Sequence, residues 1–387
     1  MRVGASVVAL CLSAVVLVCC HDRNNEALRS HRSAAAGDAG AEVGCSVDDD
    51  CQGELGPCKT WSCNPNTKSC QMVSMGESCD VCGSGAELRV HFYDVAQALA
   101  ALVDLPDGRR ILVDTADSPD RDYCGTACSR AHAHLMDQLT RDLGADPIDL
   151  VWITHPHSDH IGGAKDVLAQ FRVRHYVDNG RDADDAEIGA VHDEATSRGV
   201  PLSVVEPGHQ ELALEGAGDL KITAIAPSSW LPSCKTDRNA CSILLRIDYC
   251  QSSILFTGDA EIAEEELVDP RGPATLLQVG HHGSNTSSGA AFLERVQPKY
   301  AVISAGRPGE GINNSYCHPR AETVRALTDA LGGSGARTLR AFDSSFSCHD
   351  EPPESWSDVP ASDRLWATER DGDVVLATTG DGVFKKR

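Results

Sequence analysis

Short apolar runs separated by turn residues dominate the chain from residue 87 onward, with helical periodicity between some of them. Residues 88–93 (Leu-Arg-Val-His-Phe-Tyr) alternate apolar and polar positions, the period of a half-buried strand. Residues 111–114 (Ile-Leu-Val-Asp) form a second strand, with Pro106-Asp107-Gly108 as the turn between the two. Leu135, Met136, Leu139 and Leu143 recur at helical spacing over 128–143. Residues 150–154 are a buried strand and 164–171 a helix. Residues 243–247 and 253–257 form a pair of strands, 275–279 and 300–304 two more, 320–331 a helix and 374–378 a late strand. Strands come in groups rather than in strict β-α-β alternation. That predicts an α/β domain of two mixed sheets packed together with helices outside. No Gly-rich phosphate loop follows the first strand, which argues against a dinucleotide-binding sheet.

The N-terminal pattern is different. Arg2 precedes an apolar run over 7–18, too short for a membrane span and suited to the h-region of a signal peptide over 1–20. Its end, Leu17-Val18-Cys19-Cys20, resembles a bacterial lipoprotein box, although no small residue precedes either cysteine. Two outcomes follow: a lipid anchor at Cys20 or Cys19, or cleavage and release. Residues 21–44 are rich in Ala, Ser, Arg and Gly and predict a flexible linker. Residues 45–83 carry seven cysteines (Cys45, Cys51, Cys58, Cys63, Cys70, Cys79 and Cys82) with almost no Leu, Ile or Phe. So poor a core cannot offset its ordering entropy, and disulfides are the natural staple. Cys79-x-x-Cys82 has the spacing of a zinc half-site, but no second close pair stands where a zinc ribbon needs one. Seven is odd, which leaves one cysteine to pair into the domain over 86–387.

Composition adds three constraints. The chain has 387 residues, 41% hydrophobic, enough for one large domain and a small one. Of its 17 cysteines, Cys11, Cys19 and Cys20 leave the folding problem with the signal, and the fourteen left suit an oxidising compartment. The net charge is −23; residues 1–44 balance four basic side chains with four acidic, and 45–83 set two against six, so about −19 falls on the large domain. A long polyanion would meet general repulsion there, so a small or short substrate is expected over duplex nucleic acid.

The densest chemistry is Thr154-His155-Pro156-His157-Ser158-Asp159-His160, at a strand end. Four potential ligands in six residues just past a buried strand make a metal nest, and imidazole with carboxylate suits zinc, manganese or iron. Phe256-Thr257-Gly258-Asp259 and Val279-Gly280-His281-His282-Gly283-Ser284 sit at two further strand ends. Together the three ends carry the groups that a two-metal centre requires. His132 and His134 lie on a predicted helix and face apart, and like His192 they suit a solvated face better. Cys124, Cys128, Cys234, Cys241, Cys250, Cys317 and Cys348 suit disulfides better than nucleophiles.

H-x-H-x-D-H is the signature of the metallo-β-lactamase superfamily. With F-T-G-D, V-G-H-H-G-S, Tyr316-Cys317-His318-Pro319 and the ending Thr379-Gly380-Asp381-Gly382, the chain resembles the ComEC-type branch over about 87–384. The resemblance implies an αββα sandwich with its site at the sheet edges and two divalent metal ions, zinc by preference with manganese as alternative. It implies that His155 and His157 hold one metal, Asp159 and His160 the other, and that Asp259 bridges them. His281 is expected as the remaining ligand, and His282 as a ligand candidate or a substrate contact. Asp114 matches the family's structural Asp. His318 would donate a hydrogen bond to substrate or leaving group. Two departures stand out. The usual D-V-G-Q-G-D reads Asp94-Val95-Ala96-Gln97-Ala98-Leu99 here, and the Asn-rich turn survives only in part as Asn239-Ala240-Cys241-Ser242. His175 and His209 lack the context of an additional ligand.

The activity implied is hydrolysis of a phosphodiester or related ester by a metal-bound hydroxide, with Asp159 taking a proton and His318, or His282 if it is not a ligand, protonating the leaving oxygen. Two alternatives stand beside it: a catalytically silent surface binding module with a Cys-rich adhesive segment, and a lactonase or β-lactamase-type hydrolase. An exported enzyme, in the cell envelope or outside it, is the expectation.

Overall fold

The computed structural model of the chain describes residues 46, 59–64, 68–74, 82–182, 185–208, 220–332, 336–343 and 355–387. The expected signal peptide and linker, Cys19, Cys20, His209 and Cys348 lie outside these residues.

Two mixed sheets carry the fold. The first has eight strands, in the order Lys385–Lys386, Val374–Thr378, Leu88–Phe92, Ala101–Asp104, Arg110–Val113, Leu150–Trp152, Tyr176–Asp178 and Leu202–Val204. Neighbours among its first five strands pair antiparallel, and from Arg110–Val113 on the neighbours are parallel. The second has six, in the order Leu365–Ala367, Tyr300–Ile303, Leu276–Gln278, Ser252–Phe256, Leu244–Tyr249 and Leu220–Ile225. Its first four are parallel and its last two pair antiparallel.

The period-two alternation of side chains decides what each sheet face meets. Val90, Phe92, Val103, Ile111 and Trp152 of the first sheet pack with Ile222, Leu245, Ile247, Ile254 and Phe256 of the second. The alternate residues Leu102, Leu112 and Val151 turn outward, onto Leu135 and Leu139 of helix Thr126–Leu143, Val167 of Ala164–Gln170 and Val191 of Ala186–Ser197. On the other side Leu244, Leu255 and Leu277 pack on Phe292 of helix Ala290–Val296 and on Val324 and Leu327 of Ala321–Leu331. Each such fully buried side chain contributes roughly 1.5–3 kcal/mol of transfer free energy. The result is the four-layer αββα sandwich, with a mostly aliphatic core.

The strand Ala101–Asp104 lies beside the Pro106-Asp107-Gly108 turn, where the sequence pattern placed none. Its residues Ala101, Leu102 and Val103 are buried on both faces, so no alternation marks it. Tyr176–Asp178 and Leu202–Val204 are three residues each, too short to show a period. In the Cys-rich part, Lys59–Asn64 and Ser69–Ser74 form an antiparallel hairpin with Cys63 opposite Cys70.

Disulfides join Cys82 to Cys250, Cys124 to Cys128 and Cys234 to Cys241, and Cys63 and Cys317 are also disulfide-bonded. The Cys82–Cys250 bond ties the Cys-rich segment to the sandwich. It also takes Cys82 out of any zinc half-site with Cys79.

Candidate metal centre

Parallel strands converge their chemistry at their carboxyl ends, where open sheets generally bind ligands. Asp114 follows Arg110–Val113, the His-rich turn follows Leu150–Trp152, Asp259 follows Ser252–Phe256, and the His pair follows Leu276–Gln278. Close approach demands glycine around the site, as at Gly258 and Gly162. A Cβ on Gly258 (φ 55°) would stand 2.6 Å from Thr154 Cβ, and one on Gly162 would stand 2.1 Å from the Ser118 nitrogen. The His-rich turn is pinned from outside: the Thr115 N–H and hydroxyl both donate to the His160 carbonyl, and the Leu99 N–H donates to that of Asp159.

The structure brings His155, His157, Asp159, His160, Asp259 and His282 together. Two sets could each hold an ion, with ligand atoms within 4.8 Å of one another: His155, His160 and Asp259, and Asp159, His160 and His282. His157 Nδ1 stands 3.0 Å from His155 Nε2. A third set, Asp117 with Cys124 and Cys128, is no metal site, because the two sulfurs are bonded to each other.

Asp114, fully buried, orients much of this. It accepts the Thr154 N–H and hydroxyl, both at 2.8 Å, and His160 Nδ1–H at 2.7 Å. The Thr154 hydroxyl proton is thus committed, so its oxygen accepts from His155 Nδ1, at 3.2 Å. This is the outer-sphere pattern that fixes the tautomer of metal-binding imidazoles.

The same reasoning separates the two histidines of the pair. Both take left-handed backbone conformations (φ 48° and 52°), an uncommon state for non-glycine residues that costs of order 1–3 kcal/mol each. His282 is buried and donates Nδ1–H to the Ser304 carbonyl at 2.7 Å, so its inner Nε2 carries a lone pair when the ring is neutral. That Nε2 stands 3.3 Å from His160 Nε2, 3.5 Å from Asp159 and 3.6 Å from Asp259. His281 Nε2 is 3.9 Å from Asp259 and accepts from Asn239 Nδ2 at 3.2 Å, while its Nδ1 faces Thr286 at 2.9 Å and Glu261 at 3.5 Å. The geometry therefore favours His282 over His281 as the sixth member. It also removes His282 as a proton donor, because its N–H points away from the cavity.

Does a cation fit here? With Nδ1 of both rings committed, neutral His160 and His282 would turn two lone pairs on each other at 3.3 Å, which a cation between them relieves. Asp259 Oδ1 is buried without a well-aligned hydrogen bond, its ion-pair partner being His160 Nε2 at 3.2 Å. Burial works against a charge on His160, but Asp259 and Asp114 overcome it and hold the ring well above its ordinary value. A proton there answers the same demand as a metal cation. Burial, then the His160 charge, push His155 well below its ordinary value, leaving it neutral as a ligand must be. Burial alone would raise Asp159, yet the His282 and His160 rings bring its carboxyl far below the usual range. The donor set fits a pair of divalent cations.

A cavity of about 70 Å³ opens over the cluster. Its floor includes His157, Asp159, Asp259 and His282; its rim includes Gln97, Arg121, Asn239, Tyr316 and His318. His318 is buried, and Asn313 clamps its backbone by donating to its carbonyl and accepting from its N–H. Gln97 Oε1 accepts from the Gly306 N–H at 3.1 Å, which turns Gln97 Nε2 toward His318 Nδ1 at 3.2 Å. His318 Nδ1 therefore accepts, and its proton sits on Nε2. Burial, then His281 and His282, hold the ring well below its ordinary value, so it is a neutral donor. Gln97 keeps the Gln of the altered D-V-G-Q-G-D motif, and Ala96 adopts φ 58° where the family has glycine.

The other histidines stand elsewhere. His132 faces Asp166 at 3.0 Å, His134 faces Asp373 at 2.9 Å, His192 faces Asp178 at 2.6 Å, and His175 faces Ser203 at 2.8 Å. Sequence reasoning did not single out Arg121, Asn239, Gln97 or Tyr316 as site residues. The last three stand inside motifs that it quoted; Arg121 has no such marker.

A family model described as the metallo-beta-lactamase superfamily matches residues 93–307. ComE operon protein 3 of Bacillus subtilis (strain 168) is 31% identical over 252 residues, 62% of this chain and 31% of that protein. Recombination protein 2 of Haemophilus influenzae is 27% identical over 220 residues, 57% of this chain and 24% of that protein. The chain thus spans less than a third of the length of these relatives. Among solved structures, the metallo-beta-lactamase fold protein YhfI from Bacillus subtilis overlaps 56% of this chain and 85% of its own, at 14% identity and a TM-score of 0.35. The relatives agree with the ComEC-type resemblance of the motifs, and since the family model spans more than half of its length, the chain belongs to the metallo-beta-lactamase superfamily.

Proposed function

We propose that the chain is an exported phosphodiesterase that uses two divalent cations, zinc or manganese, on a small or short substrate. The observation that carries this reading is the gathering of six imidazole and carboxylate groups, five of them buried and His157 half-buried, at the carboxyl ends of parallel strands, with His160 and His282 facing each other nitrogen to nitrogen. His155, His157 and Asp259 would hold one cation, and Asp159, His160 and His282 the other, with Asp259 between them. When bound, such a pair supplies Lewis acidity and a water acidified toward neutrality.

The chain's own residues do the rest. Asp114 and Ser304 orient the imidazoles. His318, as the neutral Nε2–H donor on the rim, supports a leaving oxygen. Asp159, kept ionised, is better suited to holding a cation than to relaying a proton. The phosphodiester class draws on the ComEC-type motifs and on the recombination named in one relative, and the charge of −23 favours a short substrate. Five cysteines in the described residues outside the 82–250 pair and inside the sandwich, Cys124, Cys128, Cys234, Cys241 and Cys317, are disulfide-bonded, which supports export into an oxidising compartment. A lipid anchor at Cys20 or Cys19 stays part of the proposal. Among the described residues no helix is long and apolar enough to cross a membrane.

The test is metal analysis of the purified chain with a panel of oligonucleotide, bis(p-nitrophenyl) phosphate, lactone and β-lactam. About two equivalents of metal and EDTA-sensitive phosphodiester cleavage are expected. Metal-free protein without turnover would leave a binding module, and cleavage confined to a lactone or β-lactam would replace the substrate class.

A further inference from the structure

We propose that Arg121 is an anion-binding residue of this site, holding a non-bridging phosphoryl oxygen of the substrate; the inference rests on the phosphodiesterase reading above. Arg121 lies on the loop between strand Arg110–Val113 and helix Thr126–Leu143, which the Cys124–Cys128 disulfide closes at its far end. Its NH1 donates to Asp117 Oδ2 at 2.8 Å and stands 3.5 Å from Asp159 Oδ1; its NH2 donates to the Tyr316 hydroxyl at 3.3 Å. Asp159 Oδ2 faces His282 at 3.5 Å. The guanidinium thus stands one carboxylate away from the proposed cation position.

Three observations give that placement a purpose. Among the described residues that line the cavity, Arg121 is the one lysine or arginine, in a chain of net charge −23. The hydrogen bonds to Asp117 and Tyr316 use two of its five N–H groups, and its side chain stays 24% exposed, so donors remain for a ligand. A planar guanidinium matches two phosphoryl oxygens at once, which an ammonium does not. Asp117 also accepts from the Ser158 hydroxyl at 2.6 Å, so Arg121 is braced against the turn that carries Asp159.

That brace is the competing role, and the two roles read out differently. The full chain, disulfides intact and loaded with zinc or manganese, is compared with Arg121→Met and Arg121→Lys. Arg121→Met is expected to keep two metal equivalents, to lose about 10- to 100-fold in kcat/KM on bis(p-nitrophenyl) phosphate, and to change little on the neutral p-nitrophenyl acetate. Arg121→Lys recovers part of the loss. Calorimetric titration with inorganic phosphate is expected to show about tenfold weaker binding to Arg121→Met. Equal losses on both esters, unchanged phosphate affinity, or loss of metal in Arg121→Met would overturn the inference. If the wild-type chain cleaves no phosphodiester, the functional reading falls by itself. The phosphate titration then still decides Arg121, a weakened Kd supporting the subsite and an unchanged one refuting it.

Discussion

The floor of the cavity, together with the buried groups beneath it, and the rim are held in place by different means. Asp114, His155, His160, Asp259 and His282 hang from the ends of buried strands, and hydrogen bonds from neighbouring strand ends fix their orientation. Of the rim residues, Arg121, Asn239, Tyr316 and His318 sit on loops or short helical turns, and each of those connections carries a disulfide: Cys124–Cys128, Cys234–Cys241 and the bond of Cys317; Gln97 is held instead by the Gly306 N–H. Sheet ends give positional accuracy through the core; loops need covalent staples to approach it. Metal holding should therefore depend on the sandwich, and substrate handling on the oxidised state of the loops.

The largest effects belong to the floor. Asp259→Ala removes the carboxylate common to both proposed cations, so metal content should collapse and turnover fall by well over 100-fold, beyond the 10- to 100-fold typical of an outer-sphere partner. Asp114→Ala, which touches no cation, should weaken metal affinity by about 10- to 100-fold through the freed His160 and Thr154. Mass spectrometry of bound metal after dialysis checks both. Retention of two equivalents in Asp259→Ala would undo the division between floor and rim.

A narrower contrast runs inside one dipeptide. His282→Ala should cost about one metal equivalent, whereas His281→Ala should keep both, since His281 Nε2 is taken up by Asn239. The same metal measurement decides, and the reverse result would return His281 to the floor.

How legible was each region in the sequence? The floor was almost wholly so, because ligands at a strand end must be close in sequence: His155 to His160 is one turn, and Asp259 follows its strand directly. The His281/His282 choice was not, since it depends on left-handed backbone and on Ser304, a residue brought in by another strand. The rim was harder still. Arg121 acquires its place from Tyr316, 195 residues away, and Gln97 from His318, 221 away. No local period or motif encodes such pairings. The fold shows the same divide: alternating strands announced themselves, while Ala101–Asp104, buried on both faces, did not.

Disulfides offer the next measurement. Cys82–Cys250 closes a separation of 168 residues and touches no rim loop, so Cys82→Ser with Cys250→Ser should lower stability by roughly 2–5 kcal/mol and leave KM unchanged. Cys124–Cys128 spans a separation of four and constrains little of the unfolded chain, so its removal should barely move Tm but raise KM, because the Arg121 loop loosens. Thermal unfolding and steady-state kinetics on the two double variants test this crossing pattern. A Tm loss confined to the short bridge would reverse it.

The smallest expected effect is the most specific to the rim. Gln97→Leu removes the Nε2 donor that makes His318 Nδ1 an acceptor, and leaves every floor contact in place. The His318 ring is then free to carry its proton on Nδ1, turning a lone pair instead of an N–H toward the leaving oxygen. Metal content and KM should stay as they are while kcat falls about tenfold, less than the roughly 100-fold or more that a positioned proton donor contributes, because His318 itself remains and only its tautomer is freed. A substrate with a p-nitrophenolate leaving group, which needs little protonation, should be spared relative to one with an alkoxide leaving group. Equal losses on the two would mean that Gln97 merely fills space beneath His318, and the division of labour between floor and rim would then rest on Arg121 alone.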